Sequence, residues 1–344
     1  MRELTLLITF DYELFLGQRS GRVDQCVVSP TAEILRILAS NDASGIFFVD
    51  TTWLRALATI SNNDRAASRD YDAVRFQLNE IAEAGHSVFP HLHPHWLDAQ
   101  YQSESAQWQL NDLQHYRFHS LSGPQKLDMF ADAVAQVAQF VGNQPVDAYR
   151  AGGWSLQPFA DFAPFFKQFG IQYDFSVLPG FSCSSTAQQY DFPDAPADRC
   201  YCFTHDPAVE DTHGGFTELP ISTVPFSDHQ RQINRMTTRV LHRCGVRSYG
   251  RGRSVNPHVD SHKTPAAEMA AVESLTLPKS RTYLNTIRQR DYFQFICHPK
   301  MVSRHSLWVF DRLLRNLKRT RRLDTDFRNY VMSAEAPLQR RQCA

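Results

Sequence analysis

Short apolar segments that end in a charged or ionisable residue, with helical patterns between them, recur along this chain and restrict its fold more than any other feature. Glu3 to Phe10 runs into Asp11, Gly45 to Val49 (GIFFV) into Asp50, and Val146 to Tyr149 into Arg150. Gln172 to Phe175 contains Asp174, and Tyr292 to Cys297 (YFQFIC) runs into His298. Further strands are predicted at Ser87 to Phe89 and Phe216 to Ser222. Apolar residues at helical spacing predict helices over Ser29 to Leu38, Tyr71 to Ala84, Pro124 to Val141, Leu156 to Phe169, Gln230 to His242, Ala266 to Leu275 and Leu307 to Leu317. Strands that alternate with helices call for parallel pairing and crossover connections. Polar chemistry then collects at one end of the strands.

From Pro179 to Gly215 the composition turns to Ser, Asp, Pro, Gly and aromatic residues without a clear period. This reads as a long ordered excursion, about 179–216, over the mouth of a barrel. A single unit over 1–320 followed by a basic tail, 321–344, is the expected domain plan. The cluster Lys318 to Arg322 (KRTRR) reads as a solvated helix end, with peripheral contact to an anionic membrane as the alternative.

The 344 residues balance 36 Lys and Arg against 36 Asp and Glu, and 42% are hydrophobic. That profile excludes disorder as the default and argues against a nucleic-acid partner. No stretch reaches the roughly 18 apolar residues that span a bilayer, and Met1 to Phe15 is interrupted by Asp11 and Glu13, unlike a signal peptide. Seven scattered cysteines, an odd number, fit a reducing cytoplasm better than a disulfide framework. The Cys200 and Cys202 pair has no second pair at zinc-ribbon spacing and reads as loop or strand.

Gly85 to Trp96, GHSVFPHLHPHW, carries His86, His91, His93 and His95 within ten residues. Histidines four apart can converge on one ion from a helical turn or compact loop, which selects His91 and His95 and sends His93 elsewhere. Surface histidines are the plain alternative. Two neutral imidazoles leave a divalent cation in need of an anionic oxygen, and Asp11 and Glu13 flank Tyr12 at the end of the first strand. A second carboxylate nearby can serve as general base on a water. Zinc is the first choice for such ligands, with cobalt, nickel and iron also compatible. Asp50 reads as an N-cap for a helix at Thr51 rather than a residue of the mouth.

Seven segments in order carry a resemblance: TFDYE (Thr9 to Glu13), GIFFVDTTWL (Gly45 to Leu54), GHSVFPHLHPH (Gly85 to His95), YRAGGW (Tyr149 to Trp154), YDFSV (Tyr173 to Val177), TELPIS (Thr217 to Ser222) and ICHPK (Ile296 to Lys300). Together they resemble the polysaccharide deacetylase family with the NodB homology domain, and look closest to the branch found with bacterial surface polysaccharide and lipopolysaccharide synthesis. The resemblance implies an α/β fold, a distorted (β/α)7 barrel. It implies Asp11 as catalytic base, Glu13 as the acidic metal ligand displaced one place by Tyr12, and His91 and His95 as the metal histidines. Arg150 would orient Asp11 through a charge-assisted bond. Gly153 would offer its backbone N–H as the oxyanion donor, although Ala151 to Trp154 departs from the family's usual residues. Asp174 would polarise His298, the general acid.

The implied reaction is hydrolysis of an N-acetyl group on an amino sugar in a lipid-linked or nucleotide-linked precursor. Trp96 and Trp154 are candidates for a sugar platform, or equally for core wedges. Removal of formyl or O-acetyl groups, and a metal- or sugar-binding pseudoenzyme, are the competing readings. A glycosidase would need two rim carboxylates and no histidine pair.

Overall fold

A computed structural model describes residues 3–111, 113–254, 259–263 and 267–333. Seven strands lie parallel in one curled sheet: β1 (Glu3–Tyr12), β2 (Ile46–Asp50), β3 (Ser87–Leu92), β4 (Ala148–Ala151), β5 (Tyr173–Asp174), β6 (Phe216–Glu218) and β7 (Tyr292–Cys297). Across the sheet they run β6-β5-β4-β3-β2-β1-β7, so chain order is kept and β7 returns to pair with β1. Tyr201–Phe203 adds an antiparallel strand beyond β6, giving a curled half-barrel with eight strands along its path. Past β6 the chain reaches β7 through Ser222, whose N–H donates to the Gln294 carbonyl (3.3 Å) and whose hydroxyl accepts from the Gln294 N–H (2.9 Å).

The helices are α1 (Ser29–Ser40), α2 (Thr51–Ser61), α3 (Arg65–Glu83), α4 (Gly123–Val141), α5 (Ala163–Phe169), α6 (Asp228–Arg243), α7 (Leu277–Ile287) and α8 (Arg304–Thr320). All but α6 press an apolar face on the sheet or on neighbouring helices. Asp50 caps α2 as expected: its carboxylate accepts from the Trp53 N–H at 3.1 Å. β1 is buried on both faces from Leu4 to Tyr12, which is why its sequence reads as a continuous apolar run. Phe48, Phe89, Phe175 and Phe327 pack ring against ring. Each such burial contributes on the order of 2–3 kcal/mol.

Two predicted helices differ. Leu156 to Phe169 is broken by Pro158 and Pro164 into a short turn, Phe159–Asp161, and α5. Ala266 to Leu275 is not helical where described: Ala267–Met269 pairs antiparallel with Thr223–Pro225, and Ala270, Ala271 and Val272 are buried against the end of β7. The helix that follows starts only at Leu277, after Thr276 caps it and with Pro278 in its first turn.

The mouth excursion is ordered and contains its own strands. Ser182–Ser185 and Gln189–Asp191 form a hairpin, paired in turn with Val259–Lys263. The segment after 320 is part of the fold as far as it is described. Arg322–Asp324 adds in parallel to β1, Phe327 and Val331 are buried, and Arg321 donates to the Glu3 carbonyl at 2.7 Å. Residues 334–344, the rest of the expected tail, lie outside the described residues. Among the described residues no helix is long and apolar enough to cross a membrane.

Candidate metal and acid-base site

The carboxyl ends of β1, β3, β4 and β7 deliver the expected side chains to one cleft of about 280 Å3. Asp11, Glu13, His91, His93, His95 and His298 all line it. Arg150 is fully buried beneath them, its ring of donors divided three ways: Nη1 to Asp11 Oδ1 (2.6 Å), Nη2 to Thr9 Oγ1 (2.8 Å) and Nε to the Phe175 carbonyl (2.9 Å). The contact with Asp11 is therefore single, not bidentate. Burial pushes the Asp11 carboxyl up, but the charges of Arg150, His91 and His298 together outweigh it and hold the carboxyl below its ordinary range.

Glu13, His91 and His93 form the buried cluster able to hold a metal ion. The expected pair was His91 and His95; the structure brings in His93 instead. The reason lies in the backbone. His93 remains extended (φ −122°, ψ 96°) beyond β3, so residues two apart fall on one side, and the turn that opens at Pro94 carries His95 away. Gly152 makes room: a Cβ there would overlap the Leu92 carbonyl oxygen and crowd the His93 ring at 2.8 Å.

The donor atoms suit a cation. His91 Nδ1 lies 2.8 Å from the Arg150 carbonyl and must donate to it, which leaves the Nε2 lone pair facing the cluster. His91 Nε2 and His93 Nε2 are 3.0 Å apart, and Glu13 Oε2 is 2.7 Å from His93 and 3.7 Å from His91. Ligands about 2.1 Å from a tetrahedral ion sit about 3.4 Å from one another. Glu13 Oε2 is buried and lacks a properly aligned hydrogen bond. Burial lowers His91, but Glu13, Asp11 and Asp50 together raise it above its ordinary value.

Lys300 was not foreseen. Its ammonium is buried, 2.8 Å from Glu13 Oε1 and 2.7 Å from the Leu14 carbonyl. Despite its burial, Glu13 is held well below its ordinary range, first by Lys300 and then by His93. Lys300 thus takes one carboxylate oxygen and leaves the other to the histidines. Its signal was present in the sequence, two residues past His298 in ICHPK.

His298 stands across from the cluster, its Nε2 3.4 Å from Asp11 Oδ2 and 3.9 Å from Glu13 Oε1. Its partner is Glu273, whose Oε1 lies 2.8 Å from Nδ1. Asp174, expected in that role, is elsewhere: it accepts from the Ser176 N–H (3.0 Å) and hydroxyl (2.8 Å) inside the sheet, beside Glu218. Burial and Asp174 push the Glu218 carboxyl well above its ordinary range. The short β5 turns Asp174 inward, while the acid that reaches His298 comes from the stretch after Met269 that had read as helix.

His95 lines the cleft, but burial pushes it down to about 3 and its Nδ1 has no partner among the described residues, so it stays a neutral wall. His86 accepts from the Gly45 N–H at 3.2 Å, away from the cleft. Trp96 is a core wedge, not a platform: it is 3% exposed, packs on Trp53 and Trp108, and donates to Asp50. Burial raises that Asp50 carboxyl to about 6. Gly153 and Trp154 do line the cleft, both at positive φ (58°), facing Ala187 and Gln188 from the mouth hairpin. Left-handed backbone is a strain for tryptophan, of the kind found at functional sites.

No family model matches the chain, and no curated protein matches it. Solved structures do. A Mycobacterium smegmatis protein named as a polysaccharide deacetylase matches 98% of this chain and 92% of its own, at 12% identity and a TM-score of 0.50. A Pseudomonas aeruginosa protein with the same designation covers 94% and 88% at 8% identity and 0.45, and the Puue allantoinase covers 94% and 87% at 10% and 0.44. The chain has the fold of the first.

Proposed function

We propose that this chain is a metal-dependent hydrolase that removes an N-acetyl group from an amino sugar in a surface polysaccharide or lipopolysaccharide precursor. The curled sheet is read as a distorted (β/α)7 barrel with its site at the carboxyl ends of the strands. One observation carries the reading: a metal-type donor set (Glu13, His91, His93), an ionised acid on a buried arginine (Asp11, Arg150) and an acid-backed histidine (His298, Glu273) meet in a single cleft. A binding module has no use for the last two.

Glu13, His91 and His93 would hold the divalent ion, with zinc the best match to two imidazoles and one carboxylate. When bound, it would lower the pKa of water and polarise the acyl carbonyl. Asp11, kept ionised by Arg150, takes the proton from the attacking water. His298, raised above its ordinary value because Glu273, with Asp11 and Glu13, outweighs burial, gives a proton to the departing amine. The Gly153 N–H is the candidate oxyanion donor at the cleft wall. Trp154 offers an aromatic face for a sugar ring. On this reading the substrate is a lipid-linked or nucleotide-linked precursor met in the cytoplasm.

The test is acetate release from N-acetylated amino sugars, with formate and O-acetyl release run beside it. Activity should vanish on chelation and return with zinc. Asp11→Asn and His298→Ala should each lose roughly a hundredfold or more in rate. A fully active chelated enzyme, or formate as the main product, would overturn the reading.

A further inference from the structure

A second, larger cleft of about 670 Å3 adjoins the first. The two share Met301, and Glu273 borders the second while its Oε1 holds His298. Its other oxygen, Oε2, is buried and has no hydrogen-bond partner among the described residues. The wall consists largely of α6, the one helix with no buried residue, which places Arg231, Arg235 and Arg239 four residues apart along the cleft. Arg247 lies beyond them.

These charges are not equal. Arg231 donates to the Phe226 carbonyl at 2.6 Å, Arg247 to the Val246 carbonyl at 2.9 Å, and the Lys279 ammonium is neutralised by Glu268 at 2.7 Å. Arg235 and Arg239 are exposed and form no ion pair among the described residues. Like charges four apart weaken a helix, so two such arginines facing one cavity are not explained by the fold. Guanidinium groups at this spacing match the oxygens of a diphosphate.

We propose that this cleft is an anion subsite in which Arg235 and Arg239 hold the phosphates of a diphosphate-linked amino sugar. The sugar then extends past Met301 into the Asp11 and His298 cleft, where a hydroxyl can donate to the free oxygen of Glu273. The sugar's identity rests on the deacetylase reading; the anion does not. Two sources share this chemistry, a nucleoside diphosphate and a polyprenyl diphosphate. Ile233, Met236 and Val240, exposed on the same helix, give the second a surface to meet.

Calorimetry with inorganic pyrophosphate tests the subsite without any turnover. The wild type should bind it, more weakly as salt rises, and Arg235→Gln/Arg239→Gln should bind roughly tenfold or more weakly. In the acetate assay that variant should raise KM about as much for a diphosphate-linked N-acetyl sugar, keep kcat, and leave KM for an uncharged N-acetyl sugar unchanged. The substrate is offered both as a soluble nucleoside diphosphate sugar and as a polyprenyl diphosphate sugar in phosphatidylcholine vesicles. A raised KM in either arm supports the subsite and identifies the source. Wild type that ignores pyrophosphate, or a double variant that binds it equally well, overturns it. Pyrophosphate binding that depends on the arginines, with no acetate from any sugar, overturns the deacetylase reading alone.

Discussion

Glu273 Oε1 lies 2.8 Å from His298 Nδ1 and is the largest influence opposing burial in keeping that imidazole protonated. A general acid with a raised pKa is active below that value and fails as pH climbs through it. Glu273→Gln keeps a hydrogen-bond acceptor but removes the charge, so the alkaline limb of kcat/KM should move to lower pH. At pH 8 the loss should approach the roughly hundredfold worth of a general acid. Asp174→Asn should leave the limb in place. A pH profile of both variants decides between the two acids.

Arg150 and Asp11 are buried together, and breaking such a pair strands a charge. Arg150→Met should cost about 3–5 kcal/mol in urea unfolding at pH 7. Asp11 has a lowered pKa, so its contribution is present above the unfolded value of about 3.9 and fades as pH falls through the folded one. The difference between wild type and Arg150→Met should accordingly shrink in acid.

Much of this was legible in the sequence. The run of β1 into Asp11, the Arg150 terminus of β4 and the His298 terminus of β7 follow from where apolar segments stop, and the structure unites all three. What stayed hidden has physical causes. Helical and extended backbone space histidines differently, and the four-residue spacing reads as a turn although Pro94 disfavours helical backbone at His93 and so points to the extended form. AEMAAVESL has helix-forming composition, yet pairing with Thr223–Pro225 and burial against β7 override propensity there, so Glu273 went unnoticed. Lys300 became meaningful only once β1 and β7 were known to be neighbours.

Lys300 and the histidine cluster hold different oxygens of Glu13. Lys300→Met should destabilise the metal-free protein, because a buried carboxylate loses its partner, by about 3 kcal/mol. Zinc should restore most of that loss, and thermal unfolding with and without the ion measures it. Equal destabilisation in both states would mean that Lys300 supports the fold independently of the metal.

The two tryptophans should separate cleanly. Trp96→Ala removes a core wedge and should cost about 3–5 kcal/mol in denaturant unfolding. Trp154→Ala should change stability little but raise KM for the sugar roughly tenfold, in the range of a lost aromatic contact.

The central claim concerns which histidines share an ion with Glu13, and the metal content of purified His93→Ala and His95→Ala tests it most directly. His93→Ala should emerge nearly metal-free and His95→Ala should retain the wild-type ratio of metal to protein. A metal-replete His93→Ala, or a His95→Ala that has lost its ion, would contradict the cluster of Glu13, His91 and His93.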